Sequence, residues 1–118
     1  MDNIVACLKN LRINVVNEEF DLQKSIAQLL AENNISFQRE YRLARGNRVD
    51  FFAAGIVIEV KKGKPNRQQV IRQLERYAEF DEIKGIILVV ETKLDVPREI
   101  SGKPCMSLGL NKLWGIAL

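Results

Sequence analysis

Hydrophobic and polar positions follow two different periods along this chain, and each period predicts a different kind of element. Apolar residues recur at helical spacing in three stretches, where we predict helices: residues 4–11, 18–33 and 67–80. Alternating or continuous β-branched patterns predict four strands: residues 36–43, 48–52, 56–61 and 85–91. Weaker strand patterns at 106–110 and 113–118 follow an irregular connection predicted for 97–104.

The order of these elements predicts the fold class. A helix, a three-strand meander, a helical crossover and a further strand suggest an α/β layer. We therefore expect one mixed sheet with helices packed against it. The chain has 118 residues, which favours a single domain spanning 1–118.

The composition excludes several classes of chemistry. The sequence contains no histidine, which removes the commonest general base and every histidine metal ligand. Its two cysteines, Cys7 and Cys105, do not have metal-ligand spacing. There is no apolar run of ~18 residues and no leader pattern, so we expect no membrane partner and a reduced, cytoplasmic setting. Chemistry in this chain must use carboxylates and lysines, with or without a metal.

Positive charge is concentrated in the centre of the chain. The formal net charge is only +3, but residues 36–76 contain ten Lys or Arg against four acids, a net of +6. The remainder is therefore net −3. We expect an anionic partner to bind this central segment.

Two acids and a lysine interrupt the apolar strand pair within that segment. If Ala54-Gly55 is a two-residue hairpin loop, Asp50 lies opposite Glu59 and Arg48 lies opposite Lys61, whereas a one-residue change of register would offset both pairs. Like charges opposite each other destabilise a sheet. A divalent cation and a phosphate would compensate them, and a hard ion such as Mg²⁺ takes one or two carboxylates with phosphate oxygens. The other interpretation is a set of solvated charges on an edge strand.

This constellation resembles the PD-(D/E)xK nuclease superfamily. Asp50 fits the motif aspartate, and Glu59-Val60-Lys61 fits the E-x-K. Val49 stands where the family name has proline. The resemblance implies a restriction-endonuclease-like core with a central mixed sheet of four to five strands flanked by helices. It also implies that Asp50, Glu59 and the Val60 carbonyl bind Mg²⁺, with Mn²⁺ able to substitute, and that Lys61 serves the attacking water.

Two further matches to the superfamily lie on predicted helices. Glu19, or its neighbour Glu18, is placed like the acid that many members carry on the first helix, and Asp21 competes for that role. Gln73 and Tyr77 resemble the Q-x-x-x-Y of RecB-type members. The resemblance implies helper roles for Gln73 and Glu19. A helix-terminal acid, a polar flank and a core aromatic are the alternative interpretations.

Basic residues around this motif are candidates for nucleic-acid contact, together with Tyr77. The set is Arg48, Lys62, Lys64, Arg67, Arg72, Arg76 and Tyr77. Arg42 and Arg45 have the same two interpretations, phosphate contact or a solvated turn.

We therefore expect a Mg²⁺-dependent deoxyribonuclease that recognises DNA structure or ends, in repair, recombination or the metabolism of phage or mobile elements. A Holliday-junction resolvase is the alternative within enzymes, and a non-catalytic nucleic-acid-binding module on the same fold is the alternative of another class. An RNA substrate is compatible with the same pattern. A homodimer is a further hypothesis, with contact supplied by residues 113–118, which include Trp114.

Overall fold

The computed structural model describes residues 1–11, 19–44 and 46–109, and the side chains of residues 19–21 lie outside that description. The described part contains three helices: α1 (Asp2–Leu8), α2 (Glu19–Glu32) and α3 (Arg67–Ala78). It also contains six strands: β1 (Gln38–Arg42), β2 (Arg48–Ala53), β3 (Ile56–Lys61), β4 (Gly85–Val90), β5 (Glu99–Ile100) and β6 (Lys103–Gly109).

The strands form one mixed sheet in the order β1-β2-β3-β4-β6-β5, flanked by the helices. β1, β2 and β3 make the predicted antiparallel meander. Helix α3 then connects β3 to β4, which runs parallel to it, and β6 is parallel to β4 on the other side. The predicted α/β class with a mixed sheet is confirmed.

The strand count differs from the expected four to five. Residues 97–104 were expected to be irregular, but they include β5 and the start of β6, joined by a turn in which Ser101 and Gly102 have φ of 54° and 77°. Pairing with β4 and with β5 extends β6 over seven residues. The pairing with β4 is a tertiary effect that local patterns do not report, whereas the pairing with β5 is a local hairpin. The strand predicted for 113–118 lies outside the described residues.

The β2–β3 turn has the predicted two-residue form. Ala54 and Gly55 have φ of 51° and 85°, the left-handed pair that a type I′ turn requires. The register places Phe51 opposite Ile58, Phe52 opposite Val57, and Ala53 opposite Ile56, as expected. Glycine is also required sterically, since a Cβ on Gly55 would lie 2.6 Å from Lys84 Cγ.

The sheet separates two apolar cores. Helices α1 and α2 cover one face in the first core, whose members include Leu8, Ile26, Phe51, Ile58 and Val60. Helix α3 covers the other face in the second core, whose members include Val49, Val57, Leu74, Tyr77 and Leu88. Because strand residues alternate between faces, Glu59 projects to the α3 side, as Val57 does.

Regular alternation breaks at Asp50. Its neighbours Val49 and Phe51 belong to opposite cores, whereas residues two apart on a regular strand share a face. Glu40 on β1, which would pair with Asp50, has φ of 50°. Between these described strands, Glu40 and Asp50 do not form a ladder pair, and the β2–β3 ladder ends at Phe51–Ile58. The main chain around Asp50 is therefore available to side chains.

Among the described residues, no helix combines the length and the apolar character needed to cross a membrane.

Candidate functional site

The carboxylates of Asp50 and Glu59 each accept a hydrogen bond from the main chain of the other's strand, at the point where the ladder ends. The Asp50 backbone nitrogen donates to Glu59 Oε1 at 3.1 Å. In return, the Val60 backbone nitrogen donates to Asp50 Oδ2 at 2.8 Å. Each carboxylate therefore replaces a main-chain acceptor that the interrupted ladder lacks. This exchange fixes the separation and orientation of the two acids.

Glu59 is the one charged residue in the buried set of the described chain, with 3% of its surface exposed. Lys61 Nζ lies 3.6 Å from Glu59 Oε2, and the Tyr77 hydroxyl donates to the same oxygen at 3.3 Å. Burial, followed by the negative charge of Asp50, raises the pKa of Glu59 to about 7. Lys61, the Asp50 amide and the Tyr77 hydroxyl oppose that increase.

These contacts provide a compensation for Asp50 and Glu59 other than the divalent cation and phosphate that we expected. Two main-chain amides bind the acids, and a buried carboxylate with such donors, a lysine and a tyrosine is compensated. A proton on Glu59 is a further means of relief at neutral pH. Charge repulsion alone therefore does not require a metal, and a metal site depends on the ligand atoms that these residues offer.

The expected facing pair of Arg48 and Lys61 is wrong. Arg48 lies opposite Arg42 on β1, and its guanidinium contacts Glu40 Oε1 at 3.3 Å. Lys61 instead turns to Glu59. The physical reason is the break at Asp50, which ends the β2–β3 ladder before the two cations would meet.

Tyr77 is buried next to Glu59. Only 2% of its surface is exposed, and its single hydroxyl proton is shared between the Arg48 carbonyl, at 3.0 Å, and Glu59 Oε2, at 3.3 Å. Such burial leaves no ring face for a base, which differs from the nucleic-acid contact that we expected. The geometry makes Tyr77 a link that ties α3 to β2 and β3 at the site.

Gln73 and Arg76, on α3, line two adjoining cavities beside the acids. The first has a volume of about 320 Å³ and is lined by Arg42, Gly46, Asn47, Arg48, Gln73, Arg76 and Tyr77. The second has a volume of about 340 Å³ and is lined by Lys61, Pro65, Asn66, Gln69, Val70, Gln73 and Arg76. We call the two together the α3 groove. The structure thus brings the predicted Arg48, Lys61, Gln73 and Arg76 together along one surface.

The acids themselves do not line the groove among the described residues. They lie behind Lys61 and Tyr77, both of which contact Glu59. Asp50 is half-buried and is therefore the more accessible of the two carboxylates.

The loop after β3 carries two exposed lysines, Lys62 and Lys64. It is held by Glu91, whose Oε1 accepts from the Gly63 backbone nitrogen at 2.9 Å. Arg67 donates from Nε to the Asp95 carbonyl at 2.9 Å, so part of its hydrogen-bonding capacity is structural. The loop is therefore a basic surface at the end of the groove, and these two hydrogen bonds hold it in place.

Other predicted residues lie farther away or outside the description. Arg72 is exposed on α3 and lines neither cavity of the described surface. Glu19 begins α2, but its side chain is not described. Glu18, Arg45 and residues 113–118 also lie outside the described residues, and with them the predicted dimer contact.

Three residues of this region were missed. Asn47 and Gln69 line the groove, and Glu91 supports its loop. Gln69 is four residues before Gln73 on one helix, a spacing that places both on the same face. Glu91 directly follows β4, whose end meets that of β3 because the strands are parallel. Those two signals were present in the sequence.

The donor set fits a hard divalent cation. Asp50 and Glu59 supply carboxylate oxygens, and Mg²⁺ commonly uses one or two carboxylates with other oxygen ligands. No group of three or more His, Cys, Asp or Glu side chains placed to hold a metal occurs in the described part of the chain. Each Glu59 oxygen already accepts a hydrogen bond, but a carboxylate oxygen has a further lone pair.

Comparison of the chain with protein-family models, curated proteins and solved structures found no match. The superfamily resemblance therefore rests on the motif and stays a prediction.

Proposed function

We propose that this chain is a metal-dependent deoxyribonuclease with a PD-(D/E)xK-type site on a restriction-endonuclease-like core. The observation that carries the proposal is the reciprocal bonding of Asp50 and Glu59 across the strand break, with Lys61 next to Glu59. Charges that only stabilise a fold have no reason to converge in this way. Here two acids and a lysine meet where a ladder ends, beside a basic groove. A metal-dependent phosphodiester site makes use of that combination, because the acids can hold the metal and the cations can stabilise the phosphate.

The residues have separate roles in this proposal. Asp50, Glu59 and the Val60 carbonyl would hold Mg²⁺ or Mn²⁺, and the Val60 amide keeps the Asp50 carboxylate in place. When bound, the metal lowers the pKa of water and offsets charge on the phosphate. Lys61 lines the groove and lies next to Glu59, so its ammonium can orient the attacking water or the scissile phosphate. Gln73 contributes a neutral donor, and Glu19 stays a predicted helper.

The α3 groove supports DNA as the substrate through its backbone. Its cations and amides suit phosphate oxygens, which carry no base identity. Recognition of DNA structure or ends is therefore favoured over a long base sequence. A four-way junction is one such structure, so resolvase activity is included in the proposal as its narrower form.

A non-catalytic nucleic-acid-binding module is the second candidate. One observation favours it: main-chain amides, Lys61 and Tyr77 compensate the acids without a metal. The two candidates agree on the groove and differ only in whether phosphodiester bonds are cut.

The deciding experiment is a cleavage assay with supercoiled plasmid, linear duplex, single strand, four-way junction and an RNA strand, each with Mg²⁺, Mn²⁺ or EDTA. Asp50→Asn and Lys61→Ala are expected to lower metal-dependent cutting by about a hundredfold to a thousandfold. Lys93→Ala, at an exposed lysine outside the groove, is the matched control and is expected to cut like wild type.

Cutting in EDTA, or cutting that survives both site substitutions, would contradict the proposal. Binding to the same substrates without cutting in either metal would establish the non-catalytic alternative. Preference for the four-way junction would identify the narrower resolvase activity.

A further inference from the structure

The first cavity of the α3 groove gathers three arginines from three different elements. Arg42 ends β1, Arg48 begins β2 and Arg76 lies in the last turn of α3. The amide side chains of Asn47 and Gln73 line the same cavity. None of its described lining residues is acidic. At about 320 Å³, it falls at the small end of the range for ligand pockets.

Ordinary structural roles explain only part of this convergence. Arg76 near a helix C-terminus is favoured by the helix dipole. Arg48 forms an ion pair with Glu40, but 56% of the Arg48 side chain and 62% of the Glu40 side chain are exposed. Ion pairs this exposed contribute little to stability. Arg42 lies directly opposite Arg48 on the neighbouring strand, an unfavourable like-charge pair. An anion between the arginines would remove that cost.

Arginine and amide donors around one concavity are the groups that bind phosphate oxygens. The cavity adjoins the second one, because Gln73 and Arg76 line both, and Lys61 lines that second cavity. A chain of phosphates can therefore extend from the arginines to the acid site.

We propose that the Arg42–Arg48–Arg76 cavity binds a phosphate of a polynucleotide strand, next to the phosphate held at the acid site, and that Glu40 competes with this phosphate for Arg48. The choice of polymer rests on the proposed function. The cavity and its three cations do not depend on it.

Glu40 gives this site an unusual property. Its backbone has φ of 50°, a conformation that residues other than glycine rarely adopt, and its carboxylate forms the ion pair with Arg48 that a phosphate would have to replace. Removal of that carboxylate should therefore strengthen binding, whereas removal of an arginine should weaken it.

The test is the binding of a fluorescein-labelled oligo-dT strand in EDTA, followed by anisotropy at several salt concentrations. Arg42→Ala and Arg76→Ala are each expected to weaken binding about tenfold, as for one lost charge-assisted hydrogen bond. Each should also reduce the salt slope by about 0.7, the value for one phosphate contact on a single strand. Glu40→Gln is expected to tighten binding severalfold. Inorganic pyrophosphate should compete with the strand on wild type and compete less well on Arg42→Ala.

Arg98→Ala provides the matched control, because Arg98 is exposed and lies outside the groove. It is expected to bind within about twofold of wild type, well below one charge-assisted hydrogen bond. An equal loss of affinity in Arg98→Ala and Arg42→Ala would overturn the proposal and indicate diffuse attraction. Wild-type affinity in both Arg42→Ala and Arg76→Ala would also overturn it. Unfolding midpoints in urea confirm that each variant is folded. Because EDTA prevents metal-dependent cleavage, a wild type that shows this binding pattern but never cuts DNA would overturn the nuclease proposal while supporting the cavity.

Discussion

The two ends of the β2–β3 hairpin are built from the same two strands in opposite ways. Near the turn, three residue pairs form a regular ladder, and five of the six side chains are buried. At the open end the ladder stops, and the acids Asp50 and Glu59 accept the main-chain amides instead. The hairpin thus combines an apolar half that stabilises the fold with a polar half that costs stability and carries the candidate chemistry.

The two halves contribute to the free energy of unfolding through different interactions. Phe51 is fully buried, packs its ring 5.8 Å from that of Phe37, and lies under the Arg39 guanidinium. Apolar burial of this kind is insensitive to pH and metal. Glu59 is equally buried but ionisable, so the stability of the polar half must depend on both. Five predictions test this contrast.

The largest effect is expected in the apolar half. Phe51→Ala should lower the free energy of unfolding by about 3–5 kcal/mol, since it removes a buried ring and leaves a cavity. Urea unfolding measures the change. Phe52→Ala, at the half-buried neighbour that stacks on Tyr41, is the control and should cost clearly less. Equal costs would mean that the first core does not dominate stability.

The polar half should instead lose stability as pH rises. The pKa of Glu59 is about 7 when folded and near its ordinary 4.5 when unfolded, so the folded state binds the proton more tightly between those values. Its contribution is therefore fully favourable below pH 4.5 and lost as pH rises through 7, by on the order of 3 kcal/mol. Lys61 and Asp50 are the charged neighbours that set this balance.

Glu59→Gln isolates that contribution. The variant should match wild type near pH 5 and exceed its stability at pH 8, measured by urea unfolding in EDTA. Glu75→Gln, at an exposed acid on α3, should show no such pH-dependent gain. A constant difference between wild type and Glu59→Gln at both pH values would show that Glu59 titrates normally.

Metal should reverse the loss at high pH. At pH 8, Mg²⁺ at a hundredfold excess over its Kd is expected to stabilise wild type by about 2.7 kcal/mol, because it binds only the folded state. Asp50→Asn should lose that stabilisation, and Lys93→Ala should keep it. Thermal unfolding in a Mg²⁺ titration measures the effect, and an unchanged midpoint in wild type would argue against a metal site.

A smaller effect is expected at the link between helix and strands. Tyr77→Phe removes a buried donor shared by Glu59 and the Arg48 carbonyl, which should cost about 1–2 kcal/mol. Because the hydroxyl opposes the pKa increase of Glu59, the variant should also titrate at higher pH. The other tyrosine, Tyr41, is the control, and Tyr41→Phe should leave the Glu59 titration unchanged.

The smallest effect is expected at the turn. Ala54 has φ of 51°, which costs an alanine about 1–2 kcal/mol relative to an unstrained conformation. Ala54→Asn creates the Asn-Gly pair that type I′ turns prefer and should stabilise the protein by about 0.5–1 kcal/mol. Gly55→Ala is the opposite change and should destabilise it, since the added Cβ would meet Lys84. Thermal unfolding measures both.

Local patterns determined most of the elements of the described part. The three helices, the meander and the strand register near the turn follow from periodicity and the Ala54-Gly55 pair, because these depend on residues close in sequence. The sequence also identified Asp50, Glu59 and Lys61 as an unusual set. By contrast, β5 and the start of β6 were missed, although they pair with each other across the two-residue turn at Ser101 and Gly102. The remainder of β6 pairs with β4, which is more distant in sequence.

Only the tertiary structure decided how the set of charges is arranged. The break at Asp50 separates Arg48 from Lys61 and sends Arg48 to join Arg42 and Arg76. Burial by α3 then raises the pKa of Glu59 and places Tyr77 beneath it. A sequence pattern specifies which side chains are charged, but the distance between charges and their desolvation arise when remote elements pack together.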